Sequence, residues 1–334
     1  LVPRCNNVRE HPRLVVLLKA SEPEVRQSAA AALKQIPGKS VLDALQEIIA
    51  DKDFTDRGEA MDLIVPLAHH HAIPILKTVV EVGKNTDKQK ALRYLADSRY
   101  MGKAMGLALR TILPAIEDKS ESVAVQAAVS FAAMATEDDY WEFVGPHLDS
   151  PNVAMVKAAV IGLKHFHSPR VLLALEKMLR KGPNAIRNEV LNAIEHIGND
   201  DVLPILADAL GHKQLQVRNQ AGEVLSRLSQ SRKVDVARTI IWLLNSRNVH
   251  VRRMAVEVAR TIRDPDGELW PRLLVLLRDE DWWVRERVMD ALVDMAGRQL
   301  TPHMVALLKD PHDIMRRFAV DVLIRLKDPA SLGA

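Results

Sequence analysis

Residues 271–292 read PRLLVLLRDEDWWVRERVMDAL. Pro271 suits the first turn of a helix, where its missing N–H would be unpaired in any case. Leu273, Leu274, Leu276 and Leu277 carry that helix to Asp279-Glu280-Asp281, a polar turn. Beyond the turn, Val284, Val288, Ala291, Leu292 and Met295 fall at positions 1, 5, 8, 9 and 12 of a second helix. At about 100° per residue these positions share one arc, the face that packs inward. The stretch is therefore a helical hairpin of roughly thirty residues, too small to bury its stripe alone, and it must stack on others of its kind.

The pair Val284-Arg285 recurs as Val25-Arg26, Val217-Arg218 and Val251-Arg252, with Ile186-Arg187 and Met315-Arg316 as near variants. Taking the second residue as an anchor gives Arg26, Arg57, Lys88, Ala124, Val156, Arg187, Arg218, Arg252, Arg285 and Arg316. The spacings are 31, 31, 36, 32, 31, 31, 34, 33 and 31. Proline stands 14 residues before the anchor in five units, as Pro12, Pro74, Pro204, Pro271 and Pro302. The seventh unit repeats the stripe with Val217, Ala221, Val224, Leu225 and Leu228. Ten hairpins at this period predict an all-α solenoid.

Composition agrees and excludes much else. The 334 residues are 48% hydrophobic, 27% charged and only 4% aromatic, with 14 Gly, which disfavours β folds and Gly-rich nucleotide loops. Lys and Arg number 46 against 43 Asp and Glu, so general nucleic-acid binding is not expected. Residues 245–334 hold 15 basic and 14 acidic side chains with the signs interleaved, not a basic stripe. Cys5 is the single cysteine, which excludes a disulfide framework and fits a reducing, cytoplasmic setting. The most apolar stretch, 123–135, falls short of the roughly 20 residues of a membrane span. Leu1-Val2-Pro3-Arg4 matches a protease-recognition segment common in expression vectors. Residues 1–7 thus read as a scar and leader, and 8–334 as one repeat array, a fragment of a longer protein if Leu323 and Leu326 lack a cap.

Asp279, Val284, Arg285, Ala291 and Leu292, with Pro271 upstream, resemble a HEAT repeat, and the 31-residue period resembles the bacterial HEAT-like class named after phycobilisome lyase subunits. The resemblance implies a right-handed superhelix with second helices on the concave side. It also implies a ladder of turn Asp and anchor Arg between repeats, interrupted here at Ala124 and Val156. The longest spacing, around Ser98–Lys103, reads either as a soft joint or as ordinary drift of the repeat. Deoxyhypusine hydroxylases, a HEAT-like enzyme group, build a di-iron site from His-Glu pairs, and this chain has no such dipeptide. His69-His70-His71 reads as a solvated loop. No pigment, catalytic or cofactor site is marked, and neither a cofactor nor a metal is expected.

Positions 3, 7 and 10 of the second helices point away from the stripe. In units six and seven they are Asn188, Asn192, Glu195, Asn219, Glu223 and Ser226; in unit eight, Arg253, Glu257 and Arg260. Around units four and five they turn apolar, with Val125, Val129, Ala132 and Ile161, either a peptide groove or an error of phase. Six residues before Arg57, Arg285 and Arg316 stand Asp51, Asp279 and Asp310; before Arg187, Arg218 and Arg252 stand Lys181, His212 and Ser246. Those three arginines, lacking a local carboxylate, flank the asparagines. The expected partner site is accordingly Arg187, Asn188, Asn192, Arg218, Asn219, Arg252 and Arg253, which would hold a protein or peptide segment carrying acidic residues. The expected function is a non-catalytic scaffold or adaptor; the rival is a HEAT-like enzyme or lyase subunit handling a cofactor or nucleic acid in the same groove.

Overall fold

A computed structural model describes the chain except residues 1–10, 21, 34–38, 52, 53, 55, 232, 233, 263–266 and 330–334. The leader at 1–7 and the extreme end therefore lie outside the described residues. Twenty-one α-helices and no strand occur among those that are described. The contacts divide the chain into two compact units, 1–166 and 167–334.

The first unit contains α1 (His11–Val16), α2 (Pro23–Leu33), α3 (Lys39–Ala50), α4 (Arg57–Ala68), α5 (Ile73–Val82), α6 (Asn85–Leu95), α7 (Ser98–Met101), α8 (Met105–Ile112), α9 (Glu121–Ala132), α10 (Glu137–Phe143) and α11 (Val153–Leu163). The second contains α12 (Pro169–Lys181), α13 (Arg187–Ile197), α14 (Leu203–Ala209), α15 (Leu215–Ser231), α16 (Val236–Leu243), α17 (Val249–Ala259), α18 (Leu269–Leu276), α19 (Trp282–Ala296), α20 (Thr301–Leu307) and α21 (Asp313–Leu326). Setting α7 aside, these helices make ten hairpins, five in each unit. Every anchor residue lies near the start of a second helix. The molecule is an all-α solenoid.

Within each unit, second helices stack on second helices: α2, α4, α6, α9 and α11 in the first, α13, α15, α17, α19 and α21 in the second. The stripe residues form the core. Val217, Ala221, Val224, Leu225 and Leu228 are all buried, as are Val284, Val288, Ala291 and Leu292. Pro74, Pro204 and Pro302 occupy the first turn of α5, α14 and α20, where no backbone N–H is needed.

The 36-residue spacing is taken up by structure. Its extra residues form α7 and a following 3₁₀ turn, Gly102–Ala104. Asp97 caps α7 by accepting from the Arg99 backbone N–H at 3.0 Å, and Met101 is fully buried. In the fourth hairpin Val125 and Val129 are half-buried while Ala132 is buried. On the same helix Gln126 accepts from Arg93, and Glu121 pairs with Lys157 at 2.8 Å.

Candidate partner-binding surface

The anchor arginines share one local role. Each of Arg26, Arg218, Arg252, Arg285 and Arg316 donates from Nη1 to the carbonyl six residues earlier, at 2.7–2.9 Å. Arg57 reaches the equivalent carbonyl of Asp51 and that of Ile49. The carbonyls at the end of the first helix lack intrahelical donors, and a guanidinium arriving from the second helix satisfies them and pins the turn.

A ladder between repeats is present as the resemblance implies, but the reading that matched an anchor with the Asp six residues before it needs correction. Asp279, six residues before Arg285, accepts instead from Arg252 of the preceding repeat, at 2.7 and 2.9 Å. Glu280 adds a third bond to Arg252 at 3.2 Å. Asp118 likewise serves Lys88 at 2.7 Å, and Asp56 faces Arg26 at 3.7 Å. In these three turns the aspartate of one repeat reaches back to the cation of the one before. Arg252 does lack a local carboxylate, Ser246 standing in that place, but it takes one from the following repeat.

Arg253 is committed as well. It holds Asp281 at 3.0 and 2.6 Å and lies over the Trp283 ring at 5.6 Å, with Arg287 over the same ring at 5.3 Å. The Arg253 bond, its largest cause, holds the Asp281 carboxyl below the usual carboxylate range. Of the tryptophan pair, Trp283 is packed and Trp282 is exposed.

The other expected site residues are placed differently. Asn188 and Asn192 lie on α13 and Asn219 on α15; all three are exposed, and among the described residues none of their side-chain amides is engaged within the protein. Arg187 is buried, donating to the Leu179 carbonyl at 3.2 Å and to the side-chain oxygens of Asn184 and Gln214. Arg218 is half-buried and bonds the carbonyls of His212 at 2.8 Å and Lys213 at 3.2 Å. Neither arginine meets a carboxylate. Asp208 pairs with Arg180 at 3.1 Å, and Glu223 faces Arg227 at 3.7 Å.

Beside Arg187 opens a groove of about 870 Å³, lined by His212, Lys213, Gln214, Trp242, Ser246 and Asn248 among others. His212 has its pKa lowered by burial first and then by the charge of Arg187. Sequence reasoning missed this groove. The signal was available: in the seven residues before each anchor, every repeat carries Asp or Glu except three in succession, 180–186, 211–217 and 245–251.

The histidine run forms a 3₁₀ turn, His69–Ala72, with the His69 ring edge-on to Tyr100 at 5.7 Å. Asp62 is held by Lys90 and Tyr94 at 2.6 and 2.5 Å. Among the described residues, no three His, Cys, Asp or Glu are grouped as a metal would need, and no helix is long and apolar enough to cross a membrane.

Stacked hairpins with anchor arginines at the turns define a helical-repeat protein. The family description HEAT repeats matches residues 142–226 and 236–324, and the chain belongs to that family. No curated protein sequence matches it. Among solved structures, Kap121p bound to Pho4p is similar with a TM-score of 0.55 at 11% identity, over 96% of this chain and 42% of that one. Importin beta is similar at 0.50 and 13% identity, over 95% of this chain and 51% of that one. Human deoxyhypusine hydroxylase in complex with glycerol reaches only 0.32 at 16% identity, over 80% and 99%. The chain thus spans about half the length of importin beta and less of Kap121p. At these identities the likeness is one of fold.

Proposed function

We propose that the protein is a non-catalytic scaffold that holds a segment of a protein partner against the second helices of repeats six and seven. One observation carries this reading: Asn188, Asn192 and Asn219 present free amides side by side on adjacent helices. An amide offers both a donor and an acceptor, and so matches the exposed backbone of an extended or helical peptide. Exposed amides with no internal duty cost the fold nothing to keep and nothing to lose. The acidic character expected of the partner follows from Arg187 and Arg218, whose guanidinium charges meet only neutral acceptors. Arg252 and Arg253 drop out of the proposed contact set, because their hydrogen bonds are already spent on Asp279 and Asp281. A reducing, cytoplasmic setting is consistent with the lone Cys5. A solved HEAT-fold relative described as bound to Pho4p supports a protein as the ligand class.

The test is a chain with a photo-cross-linking residue at position 219. It should capture a partner, and a peptide from the cross-linked stretch should bind the unmodified chain. Asn188→Ala, Asn192→Ala and Asn219→Ala together should weaken that peptide about tenfold or more with the melting temperature unchanged. Equal binding by the folded triple variant removes the asparagine tier from the interface.

A further inference from the structure

Along the edge where the helix-to-helix turns of the second unit stack, repeats six to eight differ from the rest. The three acid-free turns and their anchors hold seven cations; Arg180 and Arg252 are paired, while Lys181, Arg187, Lys213, Arg218 and Arg247 have no ion-pair partner among the described residues. The next turn ends the run abruptly, because Asp279, Glu280 and Asp281 neutralise Arg252 and Arg253. At some other turns a carboxylate reaches back to a cation of the preceding repeat, as Asp118 does to Lys88 and Asp310 to Arg278. Beside Arg187 the neutral Gln214 stands in that role. A buried guanidinium bonded only to amides and carbonyls keeps its full charge facing the groove.

The same groove has an apolar wall. Trp242 is 70% exposed on its rim, next to Pro204, Ile205 and Leu243. At 870 Å³ it lies in the range that takes a few side chains. Its other acids, Glu176 and Asp208, are both held by Arg180. Five unpaired cations spread over three turns make too sparse a basic surface for a nucleic-acid duplex, which carries a charge about every 1.7 Å. Turns of stacked repeats sit about 10 Å apart, the packing distance of helices. An extended peptide in the polyproline II form rises about 3.1 Å per residue with three residues per turn, so every third side chain faces the same way and meets the next turn.

We propose that this edge is a second binding site, taking an extended acidic peptide segment of a partner protein with carboxylates at every third residue and an apolar side chain against Trp242. The inference rests on the scaffold reading for its ligand class and shares Arg187 and Arg218 with it, but it makes no use of the asparagine tier. One carboxylate would complete the ladder at Arg187 and Lys213, and the next would reach the turn of Ser246, Arg247 and Asn248. Arg218, the anchor between these turns in sequence, bonds the Lys213 carbonyl.

The probe is the capped heptapeptide Glu-Leu-Ala-Glu-Leu-Ala-Glu, titrated into the full chain at low salt while the Trp242 indole N–H is followed by nitrogen-15 NMR, its signal identified with Trp242→Phe. The signal should move saturably. The same peptide with Gln for Glu should bind at least about tenfold more weakly, and so should the acidic peptide to Lys213→Ala/Arg247→Ala, since charge-assisted bonds to exposed cations are what these changes remove. Both of those positions are exposed, so the double variant should melt like the parent. Comparable binding of the Gln peptide, an unaffected double variant, no binding at millimolar peptide, or tighter binding of a DNA duplex would each overturn the proposal. The asparagine triple variant should bind this probe normally. Failure at the groove therefore leaves the asparagine reading standing, and the converse also holds.

Discussion

Gly162 shows how a single atom decides packing. It lies in the last turns of α11, where Ala would ordinarily be favoured over Gly by about 1 kcal/mol. A Cβ there would fall onto the Tyr140 hydroxyl oxygen and within 2.8 and 2.9 Å of two ring carbons. Tyr140 cannot withdraw: it is fully buried, its hydroxyl donates to the Ala159 carbonyl at 2.6 Å, and its ring contacts Phe131 and Phe166. Sterics therefore outweigh propensity. Gly162→Ala should destabilise the chain by about 1–3 kcal/mol. With Tyr140→Phe already present the hydroxyl is gone, so adding Gly162→Ala should cost less, a non-additivity that thermal melts of the four chains would read. Additive losses would mean that Tyr140 is not what excludes the side chain.

At the scale of the helix, one buried stripe governs most of the fold. Leu225 sits at the centre of the α15 stripe with no exposed surface, and α15 packs on both α13 and α17. Leu225→Asp would strand a carboxylate between three helices with no cation on the stripe to receive it. A loss of about 3–5 kcal/mol follows, seen as a collapse of the melting transition. A variant that melts like its parent would put the stripe of α15 out of phase. This stripe was legible in the sequence because helix periodicity is local: Val217, Ala221, Val224 and Leu225 span barely two turns. So were the anchors and the ten hairpins, for the same reason. The direction of the ladder was not, since Asp279 lies closer in sequence to Arg285 than to Arg252, and only stacking brings it to the latter. The long spacing around Ser98–Lys103 left a soft joint and ordinary drift both open; that its residues form α7 with Met101 buried is a tertiary fact. The groove beside Arg187 was hidden for a related reason, as it exists only where three repeats meet. Its absence of acids was plain in the sequence, but an absence attracts notice only once the ladder shows what an acid would do there.

Across the whole molecule, ion pairs recur from repeat to repeat, and their response to acid follows from their pKa directions. The Arg99 side chain holds the Asp97 carboxyl below its ordinary value. At Asp118 burial pushes upward, but the Lys88 bond and the Ser120 N–H outweigh it and the net shift is downward. Asp281 is lowered chiefly by Arg253, and Asp310 chiefly by the His312 backbone N–H. A carboxylate whose folded pKa lies below its unfolded value, about 3.9, binds protons less readily when folded. Its stabilisation is complete above about pH 5 and is lost as pH falls through the folded pKa, below 3.9. His212 adds a weaker slope at higher pH. Its folded pKa is also lowered, so the unfolded chain takes up the proton first and stability begins to fall below about pH 6.5. Helical melting curves should therefore show a shallow decline from about pH 6.5 and a steep one below about pH 4. Asp281→Asn together with Asp310→Asn should flatten the acid limb. Asn can still accept the backbone N–H bonds that Asp281 and Asp310 receive from Val284 and His312, yet it does not titrate. An acid limb equally steep in that variant would assign the loss to other carboxylates, and the repeat-to-repeat pairs of the second unit would then contribute little to its pH dependence.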